Sequence, residues 1–367
     1  MIICSPQLGI SPQSVLGGEV YDREVLLGLS KKNVNIEIIL PKGLKQDINI
    51  KNWRISHLPL RHIPAPLFNL LIVPYLFKIH RENKFKIIRL HSPMYVGLGA
   101  LFFRLFNHNI KIVATFHQFK ELNIYGLGKV LNKYWDHIIC DSLSVKEKIA
   151  EEYFIPKSKI TVVHNGVPNY LKPQKKKKNL LKKLNINGKF VMLFMGLFIK
   201  RKNPLFLLEV LKSLLAINPN IIIIFWGQGP LKISIIKKAK ELNIFSNIRF
   251  LDPIYGKEKT DIHNLADIFL HPAIDEGFAL APLEAMACAK PVLMNDAHSA
   301  KEAVRNDDNG FLCNVNDVSD WTKKTIKIIQ DPKLKRRMGL ASRKKVLKEF
   351  QWSLTVDKHL EVFNALI

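Results

Sequence analysis

The chain has 367 residues, 47% of them hydrophobic and 24% charged, with 56 Lys and Arg against 31 Asp and Glu for a formal net charge of +25. This length and composition fit a soluble globular protein with two domains, each holding its own core. The four cysteines (Cys4, Cys140, Cys288, Cys313) are far apart and lack metal-ligand spacing, so they exclude a disulfide framework and read as reduced thiols of a cytoplasmic protein.

The positive excess attracts anionic substrates or an acidic membrane surface, and it also fits a Lys-, Ile- and Asn-rich compositional bias spread along the chain. No nucleic-acid motif accompanies it, so nucleic acid is not expected as a partner. No secretory leader is expected, because the apolar start runs directly into Ser5-Pro6. The longest apolar stretch, Pro64 to Ile79, is interrupted by Pro66, Asn69 and Pro74 and is too short to span a bilayer.

In chain order, Gly17 and Gly18 precede a helical pattern from Glu19 to Leu29, where the glycines let the backbone approach a phosphate or simply form a tight turn. Asn35 to Leu40 predicts a buried strand closed by Pro41. The segment Lys51 to Lys111 is basic and aromatic, and Leu98 to Phe106 predicts an amphipathic helix that meets either the core or an anionic lipid surface. Lys86-Ile-Ile-Arg-Leu-His91 and Lys111-Ile-Val-Ala-Thr-Phe-His117 are strands that end in histidine. The carboxyl end of a parallel strand is where open α/β sheets bind ligands, and an imidazole there can hold a hydroxyl, accept a proton, or serve structure alone. Trp135 to Ser142 predicts a strand entering a helix capped by Ser142 or Ser144, and Lys159 to Pro168 a strand closing on a turn.

Lys172 to Lys178 is polar, lysine-rich and aperiodic, as expected of a linker. The second half restarts with the strand Lys189 to Met195, then Gly196, a cationic loop Lys200-Arg201-Lys202 and a helix to Leu215. Lys and Arg in such a loop neutralise phosphate charge or form an exposed basic turn. Ile221 to Phe225 is an apolar strand leading into Trp226-Gly227-Gln228-Gly229-Pro230, whose glycines leave room for a ligand ring. Asn247 to Leu251 is a further strand, and Leu334 to Phe350 and Ser353 to Leu366 are long helices. Between them stands His271-Pro-Ala-Ile-Asp-Glu276-Gly-Phe278-Ala279-Leu280-Ala281-Pro282-Leu-Glu284-Ala-Met-Ala-Cys-Ala-Lys-Pro-Val292. It reads as a strand end, a loop and a helix start, with Pro282 at the first helical position and Glu284 in the first turn. Glu284 taken alone equally suits an exposed glutamate stabilised by the helix dipole.

With Gly17-Gly18, His117, His164-Asn-Gly-Val167, Gly196 with Lys202, Trp226-Gly-Gln-Gly-Pro230 and above all the Glu276 to Val292 block, the chain resembles the family 4 retaining glycosyltransferases (glycosyl transferases group 1) over almost its whole length. The resemblance implies an α/β GT-B fold of two Rossmann-like domains facing a cleft. The expected organisation is residues 1-171 for the acceptor, 172-178 as linker, 179-340 for the nucleotide sugar, and 341-367 crossing back. It implies Glu284 on the ribose and Glu276 on the donor hexose. Lys202 and the backbone N–H groups near Ala279 to Ala281 would hold the diphosphate, Gly17 and Gly18 would face it, and His117 would lie near the reacting sugar. Gly196, Gly227 and Phe278 belong to the same donor site by resemblance, and no cofactor or metal is required. The implied partners are a nucleotide sugar and an acceptor glycan or lipid-linked acceptor, with the enzyme cytoplasmic or at the cytoplasmic membrane face. A nucleotide-sugar epimerase, a phosphorolytic enzyme and a non-catalytic sugar-nucleotide binder remain as alternatives. The sequence departs from the family pattern at Leu197, where an arginine is common, and at Ala279, Ala289 and Asp252, where glycines are. Arg201 or Lys200 would then have to supply the second diphosphate cation, and the alanines would tighten the backbone near the phosphates.

Overall fold

The computed structural model describes residues 1–14, 16–43, 50–91, 93–117 and 126–367. The chain divides into two units, Met1–Gly166 with Trp352–Ile367, and Val167–Gln351. Each repeats strand and helix, and because consecutive parallel strands need a crossover, each builds a parallel sheet covered on both faces.

In unit 1 the elements are β1 (Ile2–Pro6), α1 (Gly17–Lys31), β2 (Asn35–Leu40), β3 (Trp53–His57), α2 (Ala65–Asn83), β4 (Ile87–Leu90), α3 (Pro93–Leu105), β5 (Lys111–Phe116), α4 (Gly128–Leu131), β6 (His137–Cys140), α5 (Leu143–Tyr153) and β7 (Ile160–Val162). Their sheet order is β3-β2-β1-β4-β5-β6-β7. Ile38 and Val113 point into one core, while Ile39 and Ile112 point into the other, so the isoleucine-rich strands are buried on both sides. Ser142 is the residue that caps α5, accepting from the Val145 N–H at 3.3 Å.

Unit 2 contains α6 (Lys178–Lys183), β8 (Phe190–Met195), α7 (Phe206–Leu215), β9 (Ile221–Trp226), α8 (Lys232–Glu241), β10 (Ile248–Leu251), α9 (Lys259–Leu265), β11 (Ile268–His271), α10 (Leu280–Ala287), β12 (Val292–Asn295), α11 (Ala300–Ala303), β13 (Gly310–Cys313), α12 (Val318–Gln330) and α13 (Pro332–Glu349). The sheet runs β10-β9-β8-β11-β12-β13, the dinucleotide-fold order in which the chain reverses direction between the first and fourth strands. That reversal opens a crevice at the carboxyl ends of β8 and β11, as it does at β1 and β4 in unit 1.

The division falls at Gly166 rather than at residue 171, because Val167 and Leu171 are buried in the unit 2 core and the Val167 N–H donates to Phe350 O at 3.0 Å. Residues 172–178 are not a free linker. The Gln174 N–H and Lys172 O both bond to Asn264, Lys176 pairs with Asp267 at 3.0 Å and Lys177 with Asp261 at 2.7 Å. Crossing back begins at 352, not 341: α13 stays in unit 2, and α14 (Trp352–Leu366) joins unit 1. There α14 lies so close to α1 that a Cβ on Gly28 would stand 2.2 Å from Val356 Cγ2.

Candidate active site

Two loops of unit 2 meet at the crevice between β8 and β11. The Ile274 N–H donates to Arg201 O at 2.9 Å, the Arg201 guanidinium donates to Asp275 O at 3.2 Å, and it pairs with Glu276 at 2.5 Å. Lys202 pairs with the same Glu276 oxygen. Two cations thus share one carboxylate, and the strand ends carry net positive charge. Beside them His271, 2% exposed, is held far below the ordinary histidine range by burial and by Lys202 and Arg201, so its ring is neutral. Neither ring nitrogen of His271, nor Asn295 Oδ1, has a hydrogen-bond partner among the described residues, which leaves hydrogen-bonding capacity at the ends of β11 and β12.

The next helix, α10, begins at Leu280 with Ala279 as its N-cap and no side chain capping it. Pro282 is therefore the third helical residue rather than the first. Of the orphan N–H groups at such a start, those of Ala279, Leu280 and Ala281 remain and Pro282 contributes none. Glu284 stands at the fifth position, in the second turn. It is 4% exposed, so the reading of an exposed, dipole-stabilised glutamate does not hold. Burial alone would raise its pKa, but Lys259 at the start of α9 and His263 one turn later outweigh that and bring it down to about 2. Lys259 Nζ bonds to one carboxylate oxygen, and His263 Nε2 lies 3.4 Å from the other.

The glycines serve the scaffold more than a ligand. A Cβ on Gly227 would come 2.0 Å from Gly196 O, and the Gly227 N–H donates to Leu251 O at 2.8 Å. The room expected for a ligand ring is therefore filled by backbone. Phe278 is likewise a core residue, buried with its ring centroid 5.4 Å from that of Phe350. Lys259 and His263 carry little signal in the sequence, a Lys and a His one turn apart on a helix preceding the Glu284 block.

In unit 1, Gly17 and Gly18 open α1, and a Cβ on Gly18 would stand 3.1 Å from His91 Nε2. His91 and His117 end β4 and β5 and meet at 3.2 Å between His91 Nδ1 and His117 Nε2. Behind them stand Asp22 on α1, Arg89 in β4 and Asp141 after β6, and no residue pattern in the chain links these three. Arg89 and Asp22 are fully buried and pair at 2.5 Å.

The family models fit this architecture. Glycosyl transferases group 1 matches residues 176–345, and Glycosyltransferase Family 4 matches residues 15–169. This chain is a family 4 glycosyltransferase. Among its relatives, the Escherichia coli UDP-Gal:alpha-D-GlcNAc-diphosphoundecaprenol alpha-1,3-galactosyltransferase is 26% identical over 80% of this chain and 78% of that protein. The Staphylococcus aureus capsular polysaccharide biosynthesis glycosyltransferase CapM is 25% identical over 92% of each. Of solved structures, Anabaena HepE in complex with UDP-glucose superposes over 100% of both chains with a TM-score of 0.80 at 16% identity. Sucrose-phosphate synthase from Thermosynechococcus elongatus gives 0.80 over 100% of this chain and 98% of that one, at 18% identity.

Two departures of this glycosyltransferase from its family acquire a physical reading. Although Leu197 replaces an arginine, Arg201 and Lys202 together place two cations at the loop. Ala289 is not at the N-terminal end of α10 but past its C-terminal end, at φ 55° in the left-handed region, with its carbonyl 2.3 Å from where a Gly339 Cβ would be. An alanine there is strained by about 1 kcal/mol. Ala289→Gly is expected to raise the melting temperature by about 2–4 °C in calorimetry, and a fall would contradict the reading.

The glycosyltransferase also carries an apolar surface on unit 1. Leu67, Leu70, Pro74 and Phe77 form an exposed stripe along α2, and Phe102, Leu105 and Phe106 stand exposed at the end of α3, while Phe103 is core. The Phe77 and Phe106 rings lie 5.9 Å apart and those of Phe102 and Phe106 5.4 Å. Lys78, Arg81 and Lys84 are exposed on the same helix and its cap. Among the described residues no helix is long and apolar enough to cross a membrane.

Proposed function

We propose that the enzyme moves a hexose from a nucleoside diphosphate sugar to a lipid-linked acceptor at an anionic membrane surface, with retention of configuration. The observation that carries this is the pair of carboxylates flanking the uncapped start of α10, Glu276 fixed by Arg201 and Lys202 and Glu284 by Lys259. Glu284 takes the ribose hydroxyls as acceptor and Glu276 the hexose. Ala279 to Ala281 N–H groups with Arg201 and Lys202 take the diphosphate, whose growing charge as it departs is the main demand on the catalyst. In unit 1 the reading gives Gly17 and Gly18 to the diphosphate and His117 to the reacting sugar. Retention rests on family membership. The lipid-linked acceptor draws support from the exposed Phe77, Phe102 and Phe106 beside Lys78 and Arg81, a combination that suits an anionic interface, and from the diphosphoundecaprenol substrate named for the Escherichia coli relative.

The test supplies nucleoside diphosphate hexoses together with anionic vesicles that carry a polyprenyl-diphosphate glycan. Labelled sugar is expected in the lipid fraction, with donor consumed only when acceptor is present. Phe102→Ser with Phe106→Ser should lower transfer and vesicle flotation on the order of tenfold. Conversion of the sugar nucleotide without acceptor would instead show an epimerase, and flotation indifferent to anionic lipid and salt would contradict the membrane part.

A further inference from the structure

His91 and His117 touch each other through ring nitrogens, and the direction of that hydrogen bond can be worked out from their surroundings. Asp22 Oδ1 lies 2.9 Å from His91 Nδ1, the same nitrogen that faces His117 Nε2 at 3.2 Å. Burial would push the Asp22 carboxyl up, but Arg89 and His91 hold it well below the ordinary carboxylate range, so it is ionised. A lone pair on His91 Nδ1 would face that negative charge, so Nδ1 carries the hydrogen. His117 Nε2, meeting an N–H, must then be the acceptor. The hydrogen of His117 lies on Nδ1, 3.5 Å from Asp141 Oδ2, where a carboxylate favours it.

The ring is enclosed on its other side as well. Tyr21 stands edge-on to His117 with centroids 4.5 Å apart, and its hydroxyl lies 3.2 Å from His359 Nε2. His359, kept neutral by burial and by Arg89, donates from Nδ1 to Thr355 O at 2.8 Å, so its Nε2 accepts from Tyr21.

We propose that Asp22 and His91 are positioning residues for His117: the nearby Asp22 carboxylate, which takes no hydrogen bond itself among the described residues, keeps the hydrogen of His91 on Nδ1, that N–H donates to His117 Nε2, and this fixes His117 in the Nδ1–H tautomer and in one ring orientation. The consequence for turnover rests on the proposed place of His117 beside the reacting sugar; the tautomer does not.

The experiment is a long-range proton–nitrogen spectrum of the full chain labelled at histidine, at pH about 8, above the ordinary histidine range. The His117 signals are identified by their loss in His117→Gln. The wild type is expected to show a protonated Nδ1 and an unprotonated Nε2, the reverse of the tautomer that free histidine favours. In His91→Phe, which keeps a ring in place, the His117 pattern should move towards Nε2–H. Donor turnover should fall on the order of 10²-fold with donor KM little changed, since a small misplacement of a reacting group costs about that much. Asp22→Asn should shift the same signals. If it fails to fold because Arg89 is left buried without its partner, His91→Phe carries the test. An Nε2–H tautomer in the wild type, or a His117 pattern unaltered in His91→Phe, would overturn the proposal. A shifted tautomer with unchanged turnover would support the hydrogen-bond direction and overturn the placement of His117 at the sugar.

Discussion

Glu284→Gln is expected to destabilise the protein by about 3 kcal/mol at neutral pH and to weaken nucleoside diphosphate binding on the order of 10²-fold. The first figure follows from the depression of the Glu284 carboxyl from the ordinary glutamate value to about 2, each pKa unit being worth about 1.4 kcal/mol. The group is buried, so the solvent screening that discounts surface pairs does not apply. Its sign fixes the pH window. A carboxylate whose folded pKa is depressed stabilises fully above its unfolded value and loses that contribution as the pH falls towards the folded one. The gap in stability between wild type and variant should therefore be full at pH 6 and above and shrink between about pH 5 and pH 2. Denaturant titrations across that range measure it, and a constant gap would contradict the assignment. The loss of binding has a separate cause: an amide cannot accept from two ribose hydroxyls as a carboxylate does, and it leaves Lys259 without its counter-ion.

Glu276→Gln should separate turnover from affinity. Removing that carboxylate releases Arg201 and Lys202 from their shared partner and raises the positive charge at the strand ends. The diphosphate should bind as tightly as before or more so. With Glu276 in its proposed place on the hexose, turnover should fall on the order of 10²-fold. Steady-state kinetics with calorimetric binding of the nucleoside diphosphate reads both. A variant that loses affinity and keeps kcat would show that Glu276 acts on the phosphates and not on the sugar.

Much of this architecture could be read from residue order, and the reasons are physical. Strands such as Ile221 to Trp226 are uniformly apolar because helices cover both faces, and helices between them force parallel pairing, so a Rossmann-like fold in each half follows. Glu276, Glu284 and the cationic loop were visible because the motif is local in the chain. What escaped is non-local. Arg89 inside an apolar strand signals that a buried acid must exist, but nothing in the sequence says that it is Asp22, on the far side of α2 and β2 in chain order. Lys259 and His263 become partners of Glu284 only once α9 packs beside α10. The start of α10 lies two residues before Pro282 because proline is favoured at the first helical position yet tolerated throughout the first turn, where no N–H is required. The lysine run at 172–178 reads as solvated by composition, but Asp267, Asp261 and Asn264 lie along its path in unit 2. Gly227 reads as ligand space because a glycine records close approach without saying of what.

On the proposed function, unit 2 holds a nucleoside diphosphate sugar through Glu284 and the Arg201–Lys202 pair. The most direct test is the thermal shift of wild type and Glu284→Gln across a panel of nucleoside diphosphates and their hexose conjugates. A ligand that binds only the folded state at about 100 times its Kd adds about 2.7 kcal/mol of stability. At least one nucleoside diphosphate should therefore raise the wild-type melting temperature by several degrees and leave that of the variant nearly unmoved at the same concentration. No shift with any of them, or equal shifts in both proteins, would contradict the account.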